Sequence, residues 1–159
     1  MVTLSPTSES SPDAAGLEFI FLIRHCASLM SRALEAQCSA ATMSYTQWAV
    51  LACLSQHVGA MSPSDLREAL GHDPGALTRV VDALQKKGFI NRKRSRTDRR
   101  GVVIDLSPEG AKLARSLNDQ IMRAMNSWLA PLPHGEADAL VSGLQRFLST
   151  LRLSLCGEA

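Results

Sequence analysis

The chain has 159 residues, 45% apolar, 20% charged and 4% aromatic, with a formal net charge of +2. That is enough for one domain with an aliphatic core, and no run of eighteen uncharged apolar residues is present to cross a membrane. The cysteines, Cys26, Cys38, Cys53 and Cys156, form no CxxC and have no zinc spacing with histidine, so reduced cytoplasmic thiols are expected and neither a metal nor another cofactor.

Residues 1–16, MVTLSPTSESSPDAAG, hold no Lys or Arg and no apolar stretch, so they read as a disordered tail and not a signal peptide. From Leu17 to about Ser39, apolar residues recur at helical spacings; residues 17–43 are assigned to a first, dimerising helix. Ser44, with Gln47 three positions later, is a capping-box signature for a helix running to about Val58. Ser62-Pro63 sets a cap before a proline at the first helical position, Asp65 adds a first-turn carboxylate, and Gly71 ends that short helix. Asp73-Pro74 repeats the device, and Leu77, Val80, Val81 and Leu84 then form one stripe before Gly88. Two short helices joined by Gly-His-Asp make a helix-turn-helix. The free face of the second carries Gly75, Ala76, Thr78, Arg79, Asp82 and Lys86.

The period then changes. FINRKR and RGVVIDL pair as short strands around SRTD, giving a basic hairpin, and residues 44–106 together read as a winged helix. Residues 86–100 hold eight Lys or Arg against Asp98 alone, a net +7 that leaves −5 for the rest of the chain. A near-neutral protein with its positive charge so concentrated has an electrostatic footprint for nucleic acid. Ser107-Pro108 opens a long helix through Trp128, which Pro131 and Pro133 break. A last helix carries Leu140, Val141, Leu144, Phe147, Leu148, Leu151 and Leu155. The end segments, 17–43 and 107–159, are too small for a globule of their own and would bury their stripes against a second copy. The expected fold class is mainly α with a small β-hairpin wing.

From YTQWAVLACL through SPSDLREALGHDPGALTRVVDALQKKGFINRKRSRTDRRGVVIDLSPEGAKL, the chain resembles the MarR family of bacterial transcription regulators. The resemblance rests on Leu-x-x-Ala-Leu-Gly, Leu-Thr-Arg-x-Val-x-x-Leu, Lys-Gly-x-Ile-x-Arg, Asp-Arg-Arg and Leu-Ser-Pro-x-Gly. It implies a homodimer of two winged helix-turn-helix lobes on a palindromic operator. It also implies a ligand- or oxidation-responsive pocket between each lobe and the dimer helices.

On that footing the helix from Pro74 enters the major groove with its N-terminal end, Pro74, Gly75, Ala76, Thr78 and Arg79, toward the bases. Arg79 is the first choice for a base contact, because a guanidinium pairs bidentately with guanine. Ser62 and Ser64, at a helix N-terminus, are phosphate candidates. Arg94, Arg96, Arg99 and Arg100 belong to the wing, and the resemblance places a minor-groove arginine at Arg99. Asp98 suits a hairpin tip and is expected to pair with Arg94 or Arg100.

Arg24, His25, Trp48, His57 and Trp128 are the candidates for an effector pocket taking a small aromatic or anionic compound. Cys26 serves the alternative of a thiol sensor, although the Leu-Cys-Phe context of that subgroup is missing and Cys26 falls several residues late. The acidic residues are scattered, with no Ser/His/Asp set, no Gly-rich phosphate loop and no HExxH, so no enzyme is expected. The expected function is a cytoplasmic, nucleoid-associated repressor, homodimeric on double-stranded DNA and released by a small ligand. The remaining alternative is a winged-helix module for protein–protein contacts.

Overall fold

A computed structural model describes residues 12–71, 73–95 and 101–156. Its elements, in order, are α1 (Pro12–Ser39), α2 (Tyr45–Gln56), α3 (Pro63–Leu70), α4 (Pro74–Lys86), β1 (Ile90–Arg94), β2 (Val102–Leu106), α5 (Pro108–Leu129) and α6 (Glu136–Cys156). This is the helical architecture with a two-stranded wing that the sequence predicts.

The helix starts follow from local chemistry. Ser44 Oγ accepts from Gln47 N at 3.1 Å while Gln47 Oε1 accepts from Ser44 N at 3.3 Å. Ser62 and Asp65 make the same reciprocal pair at 3.1 and 3.3 Å. Asp73 Oδ1 accepts from Gly75 N and Ala76 N at 2.9 and 3.1 Å. Each pair satisfies amide donors that a helix start otherwise leaves without partners. α3 ends on Gly71 at φ 63°, a left-handed cap that glycine adopts without a Cβ penalty.

Two boundaries differ from expectation. α1 opens at Pro12, five residues before Leu17, so residues 12–16 belong to the helix and not to the tail. Pro12 there takes the first helical position, the place Pro63 and Pro74 hold in α3 and α4. α2 stops at Gln56, with His57 as its extended cap, two residues short of Val58.

The chain divides into two compact units after Asn118, inside α5. In the first unit α2 is buried over Ala49, Val50, Leu51, Ala52 and Leu54 and packs on α1, α3 and α4. Leu66, Leu77, Val81, Leu84, Ile90 and Ile104 complete this aliphatic core. Val80, expected in the stripe, is only half-buried. β1 and β2 pair antiparallel, with Ile90 opposite Leu106 and Arg94 opposite Val102. Met61, just before α3, adds a bridge to β2: Met61 N donates to Ile104 O at 2.9 Å and Ile104 N to Met61 O at 2.8 Å. The wing is thus tied to the start of the helix-turn-helix.

The start of α5 is fixed by close backbone approach. Ser107 Oγ donates to Gly88 O at 2.7 Å and accepts from Gly110 N at 2.9 Å, while Ser107 N donates to Phe89 O at 3.0 Å. A Cβ on Gly110 would fall 1.9 Å from Phe89 O, so the position requires glycine. The second unit comprises the rest of α5 and α6. Leu140, Val141, Leu144, Leu148 and Leu151 of α6 are all exposed, and so are Leu17, Ile20, Phe21 and Leu22 of α1 in the first unit.

Candidate nucleic-acid interface

α4 buries Leu77, Val81 and Leu84 and exposes Pro74, Gly75, Ala76, Thr78, Arg79 and Asp82. The expected recognition residues therefore lie together on one outward end of one helix. Gly75 and Ala76 keep that end low, which lets another surface approach the backbone. Their amides are already taken by Asp73, so this helix start offers shape and side chains and not an open anion nest. Thr78 Oγ1 donates to Pro74 O at 2.9 Å. With its proton committed, it presents a lone pair and a methyl group outward. Arg79 is exposed and has no ion pair among the described residues. No described residue pairs with it, so its five donors face outward.

The two serines split. Ser64 is exposed, whereas Ser62 is half-buried and caps α3. Asp65 already puts a carboxylate on that helix start, which weakens its attraction for a phosphate.

The basic cluster is less uniform than its count suggests. Arg92 pairs with Asp82 and ties β1 to α4. Lys93 Nζ pairs with Asp105 Oδ2 at 2.6 Å across the hairpin. Lys87 Nζ donates to Thr42 O at 3.1 Å and to Gln47 Oε1 at 3.3 Å. These three side chains hold the lobe together, each of the two exposed ion pairs being worth at most about 1 kcal/mol but fixing direction. Lys86 and Arg94 are exposed with no ion pair among the described residues. Arg96, Asp98, Arg99 and Arg100, with the expected Asp98 pairing, lie outside the described residues. The helical repeat puts Asp82 on the free face of α4, and there its carboxylate pairs with Arg92.

A cavity of about 340 Å³ opens in this lobe between α3, α4 and the hairpin. Its lining includes Pro63, Pro74, Thr78, Val102 and Ile104, together with Arg67 and Arg92. The residues expected to form an effector pocket do not line it. Arg24 and His25 are exposed on α1, and His57 is exposed at the end of α2. Trp48 is half-buried and its Nε1 donates to Asn118 Oδ1 at 2.9 Å, a tie between α2 and α5. Trp128 is exposed in the second unit.

Of the three cysteines with described side chains, Cys26 is exposed, Cys38 buried and Cys53 half-buried. Burial, with the Glu35 carboxylate adding to it, pushes the Cys38 thiol up, and burial alone does so for Cys53. A raised pKa means less thiolate at any given pH, and the thiolate is what reacts. At about pH 8, iodoacetamide should therefore leave both unmodified in the folded protein over a time that fully alkylates free cysteine. Mass spectrometry of the digested protein reads this; rapid labelling of Cys38 would mean that its burial is transient. Among the described residues, no group of three His, Cys, Asp or Glu side chains is placed to hold a metal ion.

The family model described as "MarR family" matches residues 43–102. The multiple antibiotic resistance protein MarR of Salmonella typhimurium is 39% identical over 75 residues, covering 47% of this chain and 51% of that protein. The chain thus spans about half the length of that relative. The transcriptional repressor MprA of Escherichia coli is 30% identical over 136 residues, 83% of this chain and 77% of that protein. Among solved structures, a mutant of E. coli MarR complexed with operator DNA superposes with a TM-score of 0.74 at 26% identity, covering 87% of this chain and 99% of that one. The regulator BldR from Sulfolobus solfataricus gives a TM-score of 0.80 at 23% identity over 88% of this chain and 99% of that one, a likeness of fold.

Proposed function

Because the chain belongs to the MarR family, we propose that it is a DNA-binding transcriptional regulator, a repressor that works as a homodimer on a palindromic operator. The observation that carries this reading is the exposed N-terminal end of α4, where small residues stand with Arg79, which has no ion pair among the described residues, on a helix packed against β1. Pro74, Gly75 and Ala76 let the helix sit deep in the major groove, Thr78 offers a lone pair or methyl contact, and Arg79 reads guanine. Arg94, with Arg96, Arg99 and Arg100, serves the flanking phosphates and minor groove, and Ser64 a phosphate. Its place of action is the cytoplasm, on the nucleoid, where bacterial operators lie. A regulator of this kind has no catalytic set.

The dimer rests on the apolar residues of α1 and α6. Phe21 is 68% exposed and Leu155 76%, and side chains of this kind in such number favour burial against a second copy. The domain roles follow: residues 44–106 bind DNA, and the terminal helices pair the lobes.

For an effector, the cavity between α3, α4 and the hairpin is the best-supported site. Its volume suits a small molecule, its walls are aliphatic, and Arg67 and Arg92 would hold an anionic group. An aromatic carboxylate there would sit under Thr78 and compete with DNA for the same face.

The test is fluorescence anisotropy on a duplex that the protein itself enriches from a random-sequence pool. Affinity should fall linearly on a log–log plot against salt, with a slope of about −0.9 per phosphate neutralised. Two chains should bind per duplex, and benzoate or salicylate at millimolar concentration should release them. Binding that ignored salt, or a one-to-one complex, would overturn the DNA reading or the dimer respectively.

A further inference from the structure

We propose that Lys87 is a positioning residue: it latches the end of the recognition helix to the corner between α1 and α2, and so sets where Arg79 meets the duplex. The proposal rests on the DNA-binding reading for its second half only.

The corner is unusual. α1 closes with Met43 N donating to Cys38 O at 3.3 Å and Thr42 N to Ser39 O at 2.9 Å. This is the paired pattern that ends a helix on a left-handed residue, a place usually held by glycine. Here the residue is Thr42, at φ 54°, and it is the sole non-glycine with positive φ among the described residues. A β-branched side chain is disfavoured in that conformation, so the surrounding structure must hold it there.

Thr42 Oγ1 donates to Ala41 O at 2.7 Å, and a further contact comes from 45 positions away. Lys87, which caps α4, donates from Nζ to Thr42 O at 3.1 Å and to Gln47 Oε1 at 3.3 Å. The same Gln47 oxygen accepts from Ser44 N at 3.3 Å and closes the box that starts α2. One ammonium therefore joins the end of α1, the start of α2 and the end of α4. Glu35 makes a separate tie to the corner, its Oε2 accepting from Tyr45 N at 2.6 Å, which joins α1 to α2 and leaves α4 out. Only the lysine carries the corner's position to the recognition helix among these contacts.

The leverage is geometric. Arg79 lies about 12 Å back along the helix from Lys87, so a tilt of about ten degrees at the latch moves it by about 2 Å. A bidentate contact to a base does not survive that displacement, whereas attraction to the phosphates barely changes.

Two variants decide the matter. Lys87→Met keeps the aliphatic stem and removes the donors; Lys87→Arg keeps charge and donors. In the free protein, amide hydrogen exchange across residues 40–45 should quicken in Lys87→Met and return toward the original rate in Lys87→Arg. On the enriched duplex, Lys87→Met should bind about tenfold more weakly, with little change on poly(dI-dC) and an unaltered salt slope, and Lys87→Arg should recover most of the loss. Parallel losses on both duplexes, with the slope shallower by about 0.9, would make Lys87 a phosphate contact and overturn the proposal. Unchanged exchange at the corner would overturn it without reference to DNA. If the unaltered protein enriched no duplex, the DNA reading and the part concerning Arg79 would fall together, while the exchange rates would still decide the latch.

Discussion

Replacing Arg79 by alanine should weaken binding to the enriched duplex by about 5- to 150-fold per half-site, the 1–3 kcal/mol that a bidentate guanine contact supplies. The expectation follows from what surrounds the residue. Its helix is anchored from behind by Leu77, Val81 and Leu84, and capped in front by Asp73. Its guanidinium is exposed and has no ion pair among the described residues. Removing it therefore leaves fold and stability alone and acts on recognition. The measurement is anisotropy on the matched duplex and on duplexes changed at one base pair at a time. The loss should concentrate at one guanine per half-site, where the variant should no longer discriminate. A uniform loss at every position, with a shallower salt slope, would show that Arg79 touches phosphate instead.

Gly110→Ala is the change expected to damage the fold most. The added Cβ would meet the carbonyl oxygen of Phe89 at 1.9 Å, and this obstacle is backbone, not a movable side chain. Relief requires the start of α5 to lift from the turn at residues 88–89. That movement also strains the Ser107 hydroxyl, which bridges Gly88 O and Gly110 N. A cost of about 2–4 kcal/mol follows from overpacking together with lost buried hydrogen bonds. For a chain of this size, that lowers Tm by roughly 6–12 °C. Gly16→Ala is the control: its position in α1 has open space around it, so Tm should hold or rise. A Gly110→Ala protein that melted with the original would mean that α5 is less tightly seated than the structure describes.

How much of this was legible in the sequence depends on distance along the chain. The starts at Ser44, Ser62, Asp73 and Ser107 were readable because each cap is a bond between a side chain and an amide two or three residues on. The stripe of α4 was readable because a helix repeats its buried face. Pro12 carried a similar signal but stood in a stretch whose serines and prolines suggested a tail. What was not legible lies between elements. Trp48 meets Asn118 across 70 positions, Lys87 meets Thr42 across 45, and Met61 pairs with Ile104 from a segment too short to show a strand pattern. The charge count erred for the same reason. It read Lys87, Arg92 and Lys93 as part of one basic surface, but their partners, Thr42, Asp82 and Asp105, become neighbours only on folding. The residues on the exposed end of α4 were identifiable because the helix repeat alone marks them, whereas the cavity was not, since it exists only where α3, α4 and the hairpin converge.

The bridge from Met61 to Ile104 bears on the thermodynamics of recognition. A two-stranded hairpin by itself is marginal in water and would have to become ordered as it met a duplex. Tied at its second strand to Met61, two residues before α3, the shaft of this wing is ordered before any encounter. Its conformational entropy is lost when the chain folds, not when the complex forms, so that much less opposes association. A substitution that broke the bridge while sparing every residue facing the duplex would then show as a more unfavourable entropy of binding, visible by calorimetry with the contacts themselves unchanged.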